Sequence, residues 1–147
     1  MRRLTRCIPV STDGFIATGD DELGDWFTWD EEMQAFVNGI LRSIDTIVCG
    51  RVCFETIVPY WDAIADGDPS AEAVVTDGDR EFAATMQGVD RVVLSRTLRD
   101  AGRRSTIIAD DAVGELARLK RAPGSDVLLH CGLGLLAELT GHGLIDE

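Results

Sequence analysis

The chain has 147 residues, of which 45% are hydrophobic and 27% are charged, and its formal net charge at pH 7 is −12. These values predict one globular domain over residues 1–147 with a hydrophobic core of its own. The acidic balance argues against a nucleic-acid partner, and no apolar run approaches the roughly 20 residues that a membrane-spanning helix needs.

The amino terminus and the cysteines indicate a cytoplasmic protein without a metal. The first six residues are largely basic, but neither an apolar signal-peptide core nor a cleavage site follows them. The four cysteines, at positions 7, 49, 53 and 131, form no CxxC pair. In a cytoplasmic chain such residues are more often buried thiols than disulfides, so we expect neither a disulfide nor a zinc site.

The sequence predicts strands and helices that alternate along the chain. Asp30 is expected to cap the first helix, and Pro59 is expected to end the second. The apolar runs, helical spacing and turn residues predict, in chain order, a strand over 4–10, a helix over 31–42, a strand over 45–49, a helix over 51–58, a surface loop over 60–78, a helix over 79–86, strands over 91–94 and 105–109, a helix from 110 or 111 to 121, a strand over 126–130 and a helix over 132–141. This order predicts an α/β fold with a largely parallel sheet, and such sheets bind ligands at the carboxyl ends of their strands.

Three predicted strands end in residues that suit a phosphate-bearing ligand. Gly50 and Arg51 lead into a helix, where free N–H groups and a guanidinium can bind an anion. Ser95 and Arg96 follow the next strand, and hydroxyls beside an arginine suit a phosphate monoester. The Gly-Leu-Gly segment 132–134 is a shortened glycine loop between a strand and a helix. Each motif has a simpler reading as a strand end, a turn or a packing glycine, but together they favour a dinucleotide site.

Four sequence blocks resemble those of a known family. They are Ser-Thr-Asp-Gly-Phe-Ile-Ala at 11–17, which resembles an SxDGxIA signature, the segment 45–55 with its Gly-Arg and aromatic-Glu pairs, Val-Val-Leu-Ser-Arg-Thr at 92–97, and Leu-Leu-His-Cys-Gly at 128–132. The blocks occur in the family's order and span nearly the whole chain. The sequence therefore resembles the bacterial dihydrofolate-reductase-like proteins, which are related to the reductase domain of the bifunctional riboflavin-biosynthesis deaminase–reductase.

The resemblance implies a dihydrofolate-reductase-like fold of three α/β/α layers around a largely parallel sheet. In that family, residues that follow the segment 143–147 complete the sheet, so this chain is expected to lack the final strands. The strand over 4–10 would then have an unpaired outer edge, which invites pairing with another chain. We therefore expect a homodimer or higher oligomer that covers this edge, or a chain shortened from a longer one.

The resemblance also implies NADPH as the cofactor and gives roles to the matching positions. Ser95 and Arg96, after Leu94, would hold the adenosine 2′-phosphate that distinguishes NADPH from NADH. The residues expected near the nicotinamide are Ile16 and Ala17, and those expected around the pyrophosphate are Gly50, Arg51, Val52 and Cys53 on one side and Gly132, Leu133, Gly134 and Leu135 on the other. Cys53 departs from the family, which has Thr at this position, and so removes a hydroxyl contact to phosphate.

The substrate side is less defined by the sequence. Trp26 and Met33 are expected beside the substrate, and Asp13 and Glu31 are the candidate acids, although a turn residue and a solvated helix start are the simpler readings of these two. Pro9 stands where the family has a small residue and removes an N–H group near the nicotinamide. The residues leave two hypotheses, a reductase that transfers hydride from NADPH to a small pterin-like or aminopyrimidine-like heterocycle, and a nucleotide-binding or structural homologue without turnover.

Overall fold

Apolar strands alternate with helices in the computed structural model, which describes residues 1–16, 29–70 and 75–147. The elements in these residues are β1 (Leu4–Thr5), α1 (Glu31–Ser43), β2 (Ile44–Gly50), α2 (Arg51–Ala65), α3 (Asp77–Gly88), β3 (Asp90–Leu94), β4 (Ser105–Ile108), α4 (Ala112–Arg121), β5 (Asp126–His130) and α5 (Leu133–Gly141). The strands form one sheet in the order β1-β5-β2-β3-β4, and every neighbouring pair is parallel. No helix in the described ranges is long and apolar enough to cross a membrane.

Side chains alternate across the sheet and divide the core into two layers. Ile47, Cys49 and Leu128 pack with the buried residues of α1, α2 and α3 on one face. Val48 and Leu129, one residue further along their strands, pack on the other face with α4 and α5. Because successive strand residues point to opposite faces, these apolar runs cover a helix layer on each side. The structure therefore has the three α/β/α layers and the parallel sheet that the sequence predicts.

Caps begin the helices where short polar side chains precede them. Asp30 accepts a hydrogen bond from the backbone N–H of Met33 at 2.9 Å, as predicted, and Asp111 caps α4 through the N–H of Gly114 at 3.1 Å. The third helix begins two residues earlier than predicted, because Thr76 and Asp79 form a reciprocal capping box.

The second helix corrects the sequence prediction, because α2 passes through Pro59 and ends at Ala65. Proline removes one helical hydrogen bond and costs about 3 kcal/mol or more in a helix interior. Two contacts beyond it hold the helix: Trp61 packs against Phe82 with ring centroids 4.3 Å apart, and the carboxylate of Asp62 accepts two hydrogen bonds from the buried guanidinium of Arg91 at 2.7 and 2.9 Å. Residues 60–65 are thus helical, where a surface loop was predicted.

The first strand is also shorter than predicted. Only Leu4 and Thr5 pair with β5, because the guanidinium of Arg6 takes the place of the backbone and donates to the carbonyls of Leu129 and Cys131, each at 3.3 Å. The outer edge is not bare either. The N–H of residue 146 donates to the carbonyl of Leu4 at 2.9 Å, and the N–H of Arg6 donates to the carbonyl of residue 147 at 2.7 Å. The strand edge from which the homodimer was inferred is therefore partly paired. The homodimer itself stays a prediction.

A polar clamp fastens the amino ends of the central strands. The buried guanidinium of Arg2 pairs with Asp45, donates to Thr46 Oγ1 at 2.7 Å and donates to the carbonyl of Ser125 at 2.5 Å. Gly124 has φ of +150°, and a Cβ built on it would lie 2.6 Å from a carboxylate oxygen of Asp45. A glycine is therefore required where the chain passes this clamp.

Candidate functional site

The carboxyl ends of β5, β2 and β3 lie side by side. In the sheet register Cys49 is opposite His130, and Gly50 is opposite Leu94. The residues that follow these three strand ends, 50–53, 94–96 and 131–135, are called the carboxyl edge below. All three motifs that the sequence analysis singled out therefore meet at one edge of the sheet.

Two helices begin at this edge without a side-chain cap. Gly50 precedes α2 and Gly132 precedes α5, and neither helix start has a side-chain capping hydrogen bond. Both strands lead directly or nearly directly into their helices, so the first N–H groups of each helix face the same end of the sheet. Free N–H groups and the positive end of the helix dipole favour an anion at such a position.

The two helix starts lie close together. A Cβ built on Gly50 would lie 3.6 Å from Cδ2 of Leu135 and 3.7 Å from Cβ of Cys131. A Cβ built on Gly132 or Gly134 would meet no described atom within 4 Å. The loop after β5 thus packs on the end of β2 while its glycines border open space.

Arg51 has a partner within its own helix. Its guanidinium donates to the carboxylate of Glu55 at 2.7 Å, and both side chains are about half exposed. An exposed pair of this kind is typically worth about 0.2–1 kcal/mol, so it leaves the guanidinium available to a stronger anion. Val52 beside it is exposed, whereas the thiol-bearing Cys53 is partly buried.

Ser95 and Arg96 differ in their local contacts. The hydroxyl oxygen of Ser95 accepts hydrogen bonds from the backbone N–H groups of Thr97 at 3.2 Å and Leu98 at 2.9 Å, which forms a tight turn. Arg96 on this turn is exposed and makes no contact with a charged or polar partner in the described residues. The turn therefore presents a guanidinium to solvent at the end of β3.

A cavity of about 800 Å³ lies between the sheet and the layer of α1, α2 and α3, and is called the α1–α3 cavity below. Of the predicted site residues that the structure describes, Ile16, Met33 and Cys53 line it. Most of the wall is apolar and much of it aromatic, and its aromatic members are Trp29, Phe36, Tyr60, Trp61 and Phe82. The other described cofactor candidates lie outside its lining.

Among the described residues, two charged side chains line this cavity, Arg6 and Asp79. Arg6 donates to the backbone carbonyls of Cys7, Leu129 and Cys131, while its buried Nε has no described partner. One carboxylate oxygen of Asp79 accepts hydrogen bonds from the N–H of Thr76 at 2.9 Å and from its hydroxyl at 2.8 Å. Asp79 is thus engaged by Thr76, whereas Arg6 keeps an unpartnered donor and has no acidic partner among the described residues.

His130 adds a neutral polar group to the wall. Burial, with a smaller contribution from the nearby charge of Arg6, lowers the pKa of its imidazole from 6.5 to about 4. The ring is therefore neutral at pH 7 and can donate one hydrogen bond and accept another. Among the cavity thiols, burial raises the pKa of Cys49 to about 12, so this group stays protonated.

The candidate acids stand apart from the cavity. Asp13 accepts a hydrogen bond from the hydroxyl of Ser11 at 2.6 Å in a turn whose Gly14 has φ of +89°, and Glu31 is exposed in the first turn of α1. Neither lines the α1–α3 cavity. The predicted site residues Ala17 and Trp26 lie outside the described residues. The described side chains contain no group of three or more metal-ligating residues, and all four cysteines are free.

Sequence reasoning missed two of the polar wall residues. Arg6 had a usable signal, since a charged residue inside the apolar run 4–10 needs a local partner. His130 ends a buried strand within one of the four family-like blocks, but no role was assigned to it. The aromatic wall had no local signal, because its members come from segments far apart in the chain.

Comparisons with known proteins bear on both fold and family. Residues 4–147 match the family described as the RibD C-terminal domain. The chain is 30% identical over 146 residues to the uncharacterized protein YyaP of Bacillus subtilis (strain 168). The match covers 99% of this chain and 71% of that protein.

Two solved structures share the architecture. A protein of Shewanella sp. PV-4 named for riboflavin biosynthesis superposes with a TM-score of 0.60 at 16% identity, over 99% of this chain and 73% of that one. The diaminohydroxyphosphoribosylaminopyrimidine deaminase/5-amino-6-(5-phosphoribosylamino)uracil reductase of Thermotoga maritima gives a TM-score of 0.58 at 14% identity, over 96% of this chain and 42% of that one. These likenesses confirm the expected dihydrofolate-reductase-like fold.

Proposed function

The chain belongs to the RibD C-terminal domain family, and from this premise we propose that it is a reductase that binds NADPH along the carboxyl edge and reduces a small ring compound in the α1–α3 cavity. Bound NADPH would supply a hydride. The chain itself would hold the cofactor, orient the substrate against it and keep water away from the reacting atoms.

The proximity of the two uncapped helix starts carries this proposal. A pyrophosphate is a doubly charged group that needs several N–H donors, and α2 and α5 offer two sets of them at adjacent strand ends. The open space beside Gly132 and Gly134 lets a ligand approach the backbone there. Arg51 would add a charge from the first turn of α2.

Arg96 would set the preference for NADPH over NADH. Its guanidinium is exposed at the end of β3, one strand away from the helix start at Gly50. Adenosine attached to a pyrophosphate at β2 would reach this neighbouring strand, where a planar guanidinium suits a 2′-phosphate. Ser95 would fix the turn that carries Arg96.

The α1–α3 cavity would hold the substrate and the reactive ring of the cofactor. Ile16, predicted beside the nicotinamide, and Met33, predicted beside the substrate, line the same space. An apolar wall excludes water, which strengthens every polar contact made inside it. No carboxylic acid among the described lining residues is free to protonate the product, so the proton would come from a single water molecule held beside the substrate, with bulk water excluded.

Cofactor titration tests the proposal directly. We expect NADPH to bind at least tenfold more tightly than NADH in an equilibrium titration, and NADPH absorbance at 340 nm to fall when a pterin or an aminopyrimidine is added. Equal affinity for the two cofactors would remove the role of Arg96. Failure of both cofactors to bind would overturn the reductase function.

A second candidate is a nucleotide-binding homologue without turnover. The observation that favours it is the engaged state of Asp79 and the neutral state of His130, which leave the described cavity without an available acid. NADPH binding without oxidation, against the same set of heterocycles, would favour this function over the first.

A further inference from the structure

Arg6 brings a positive charge to the wall of the α1–α3 cavity that no described carboxylate balances. Its guanidinium donates to the backbone carbonyl of Cys7 at 2.7 Å and to those of Leu129 and Cys131 at 3.3 Å each, and it forms no ion pair within the described residues. Carbonyl oxygens satisfy N–H groups but carry no net charge. Because an arginine is always charged in proteins, this part of the wall stays positive.

The same side chain keeps unused hydrogen-bond donors. A guanidinium has five N–H groups, and three hydrogen bonds to described carbonyls leave at least two of them without a described acceptor. One of these belongs to the buried Nε, so another belongs to an Nη nitrogen. Two of the existing bonds are long, at 3.3 Å. An anion at the Nη end would therefore replace a long bond to a neutral carbonyl with a shorter bond to a charged oxygen.

The surroundings of Arg6 make its charge effective. Most of the described wall is apolar, and its one acid, Asp79, accepts hydrogen bonds from Thr76 rather than from Arg6. Opposite charges attract each other more strongly where water is excluded than they do at an exposed surface. Burial, and to a smaller extent the charge of Arg6, lowers the pKa of His130, so a neutral imidazole lies near the guanidinium and can donate a further hydrogen bond.

We propose that Arg6 is an anion-binding residue, and that the α1–α3 cavity takes a flat ring compound that carries an acidic group. The acid would lie against Arg6 and His130, and the ring against the aromatic part of the wall. This inference rests on the proposed function and names its substrate class, an acidic heterocycle. A carboxylate and a phosphate monoester share this chemistry, and direct binding distinguishes the two.

Three naphthalene derivatives of similar size test the charge preference without any cofactor. 2-Naphthoate and 2-naphthyl phosphate are anions at pH 7, whereas 2-naphthamide is neutral. We expect at least one of the anions to bind about tenfold or more tighter than the amide in calorimetric titration, because a charge-assisted hydrogen bond is gained. The tighter anion identifies the acidic group. A smaller preference for both anions, or no binding of any probe, would overturn the proposal.

Substitution of Arg6 locates the bound anion. Arg6→Gln removes the charge but keeps amide donors for the carbonyls, so the anion should lose its advantage over 2-naphthamide, whereas Arg6→Lys should retain most of it. Arg121→Gln is the matched control, because it makes the same change at an exposed position at the end of α4, outside the cavity lining, and should alter no affinity. An undiminished preference for the anion in Arg6→Gln would refute the assignment.

A measurement on the parent protein makes the test independent of how Arg6→Gln folds. An anion bound at Arg6 also faces His130 and favours its protonated imidazole, so the pKa of His130 should be higher in the complex with the tighter anion than in the complex with 2-naphthamide. The chain has two histidines, and NMR titration of both provides His142 as the control. Equal pKa values of His130 in the two complexes would place the anion elsewhere and overturn the proposal.

The two proposals fail in different ways. If an anion binds through Arg6 but NADPH does not bind, the reductase function falls and the anion site stands. If NADPH binds and is oxidised by neutral heterocycles while neither anion is preferred over the amide, the reductase function stands and the acidic substrate class falls.

Discussion

Similar apolar side chains cover both faces of the sheet, but they pack closely on one face and surround a cavity on the other. On the face covered by α4 and α5, Val48, Leu129 and Leu139 have no exposed surface and the layer is closed. On the face covered by α1, α2 and α3, the same kind of residue surrounds a space of about 800 Å³. The difference teaches that one layer of this fold is closely packed, while the other leaves a space large enough for a small ligand.

The sharpest test of this contrast compares one truncation on each face. Leu139→Ala should lower the free energy of unfolding by about 2–5 kcal/mol, because it opens a cavity in a closed layer. Ile57→Ala, on the wall of the α1–α3 cavity, should cost only about 1 kcal/mol, because the space it leaves joins one that already exists. Urea unfolding of both variants measures the difference, and equal losses would remove the distinction between the faces.

The pH dependence of the free energy of unfolding tests the burial of His130 on the α1–α3 face. Because the pKa of His130 falls from 6.5 to about 4 on folding, the unfolded chain binds a proton between these values that the folded chain does not. The free energy of unfolding should therefore fall as pH drops from 6.5 to 4, by about 3 kcal/mol for this group.

The control for this titration is the other histidine. His130→Leu should flatten the loss between pH 6.5 and 4, whereas His142→Asn, at an exposed position, should leave it as in the parent protein. Urea unfolding at a series of pH values checks this, and an unchanged slope in His130→Leu would show that the buried imidazole is not its source.

Arg96→Ala should separate binding from stability at the carboxyl edge. A charge-assisted hydrogen bond is typically worth about 1.5–3 kcal/mol, so NADPH affinity should fall roughly tenfold to a hundredfold while NADH affinity stays nearly unchanged. Because Arg96 has no described partner, the free energy of unfolding should change by less than about 0.5 kcal/mol. Calorimetric titration with both cofactors checks this, and equal losses for the two would reject the 2′-phosphate role.

The smallest effect is expected at Arg51, which has a partner of its own. Arg51→Ala should weaken NADPH and NADH alike, by about threefold to tenfold, because the pyrophosphate is common to both. Glu55→Gln removes the negative charge that Arg51 faces at 2.7 Å and should leave both affinities unchanged or slightly higher. If Arg51→Ala binds both cofactors normally, the arginine serves only the helix.

Local patterns were sufficient for much of the fold and for the carboxyl edge. The strand over 126–130 was predicted to the residue, because a short apolar run between a glycine turn and a glycine loop has few alternatives. The prediction failed at Pro59, where the bond between Asp62 and Arg91, 29 residues apart, outweighs the local rule. It failed at β1 because a side chain, that of Arg6, replaces the expected backbone pairing.

Local sequence patterns could not predict the α1–α3 cavity, because it also depends on contacts between segments far apart in the chain. Its wall joins the segment 6–9 to three helices, and a space between elements depends on packing rather than on any one pattern. Met33 and Ile16 were assigned through the family resemblance, and their common cavity follows only from the way in which α1 and the segment after β1 meet.

The clamp formed by Arg2, Asp45 and Ser125 has a consequence for protein engineering. It fastens the strands at the end of the sheet remote from the carboxyl edge. A library that randomises the loops after β2, β3 and β5 would leave this fastening untouched. Directed evolution of ligand recognition in these loops should therefore leave the contacts between the amino ends of the strands intact, provided that residue 124 stays glycine.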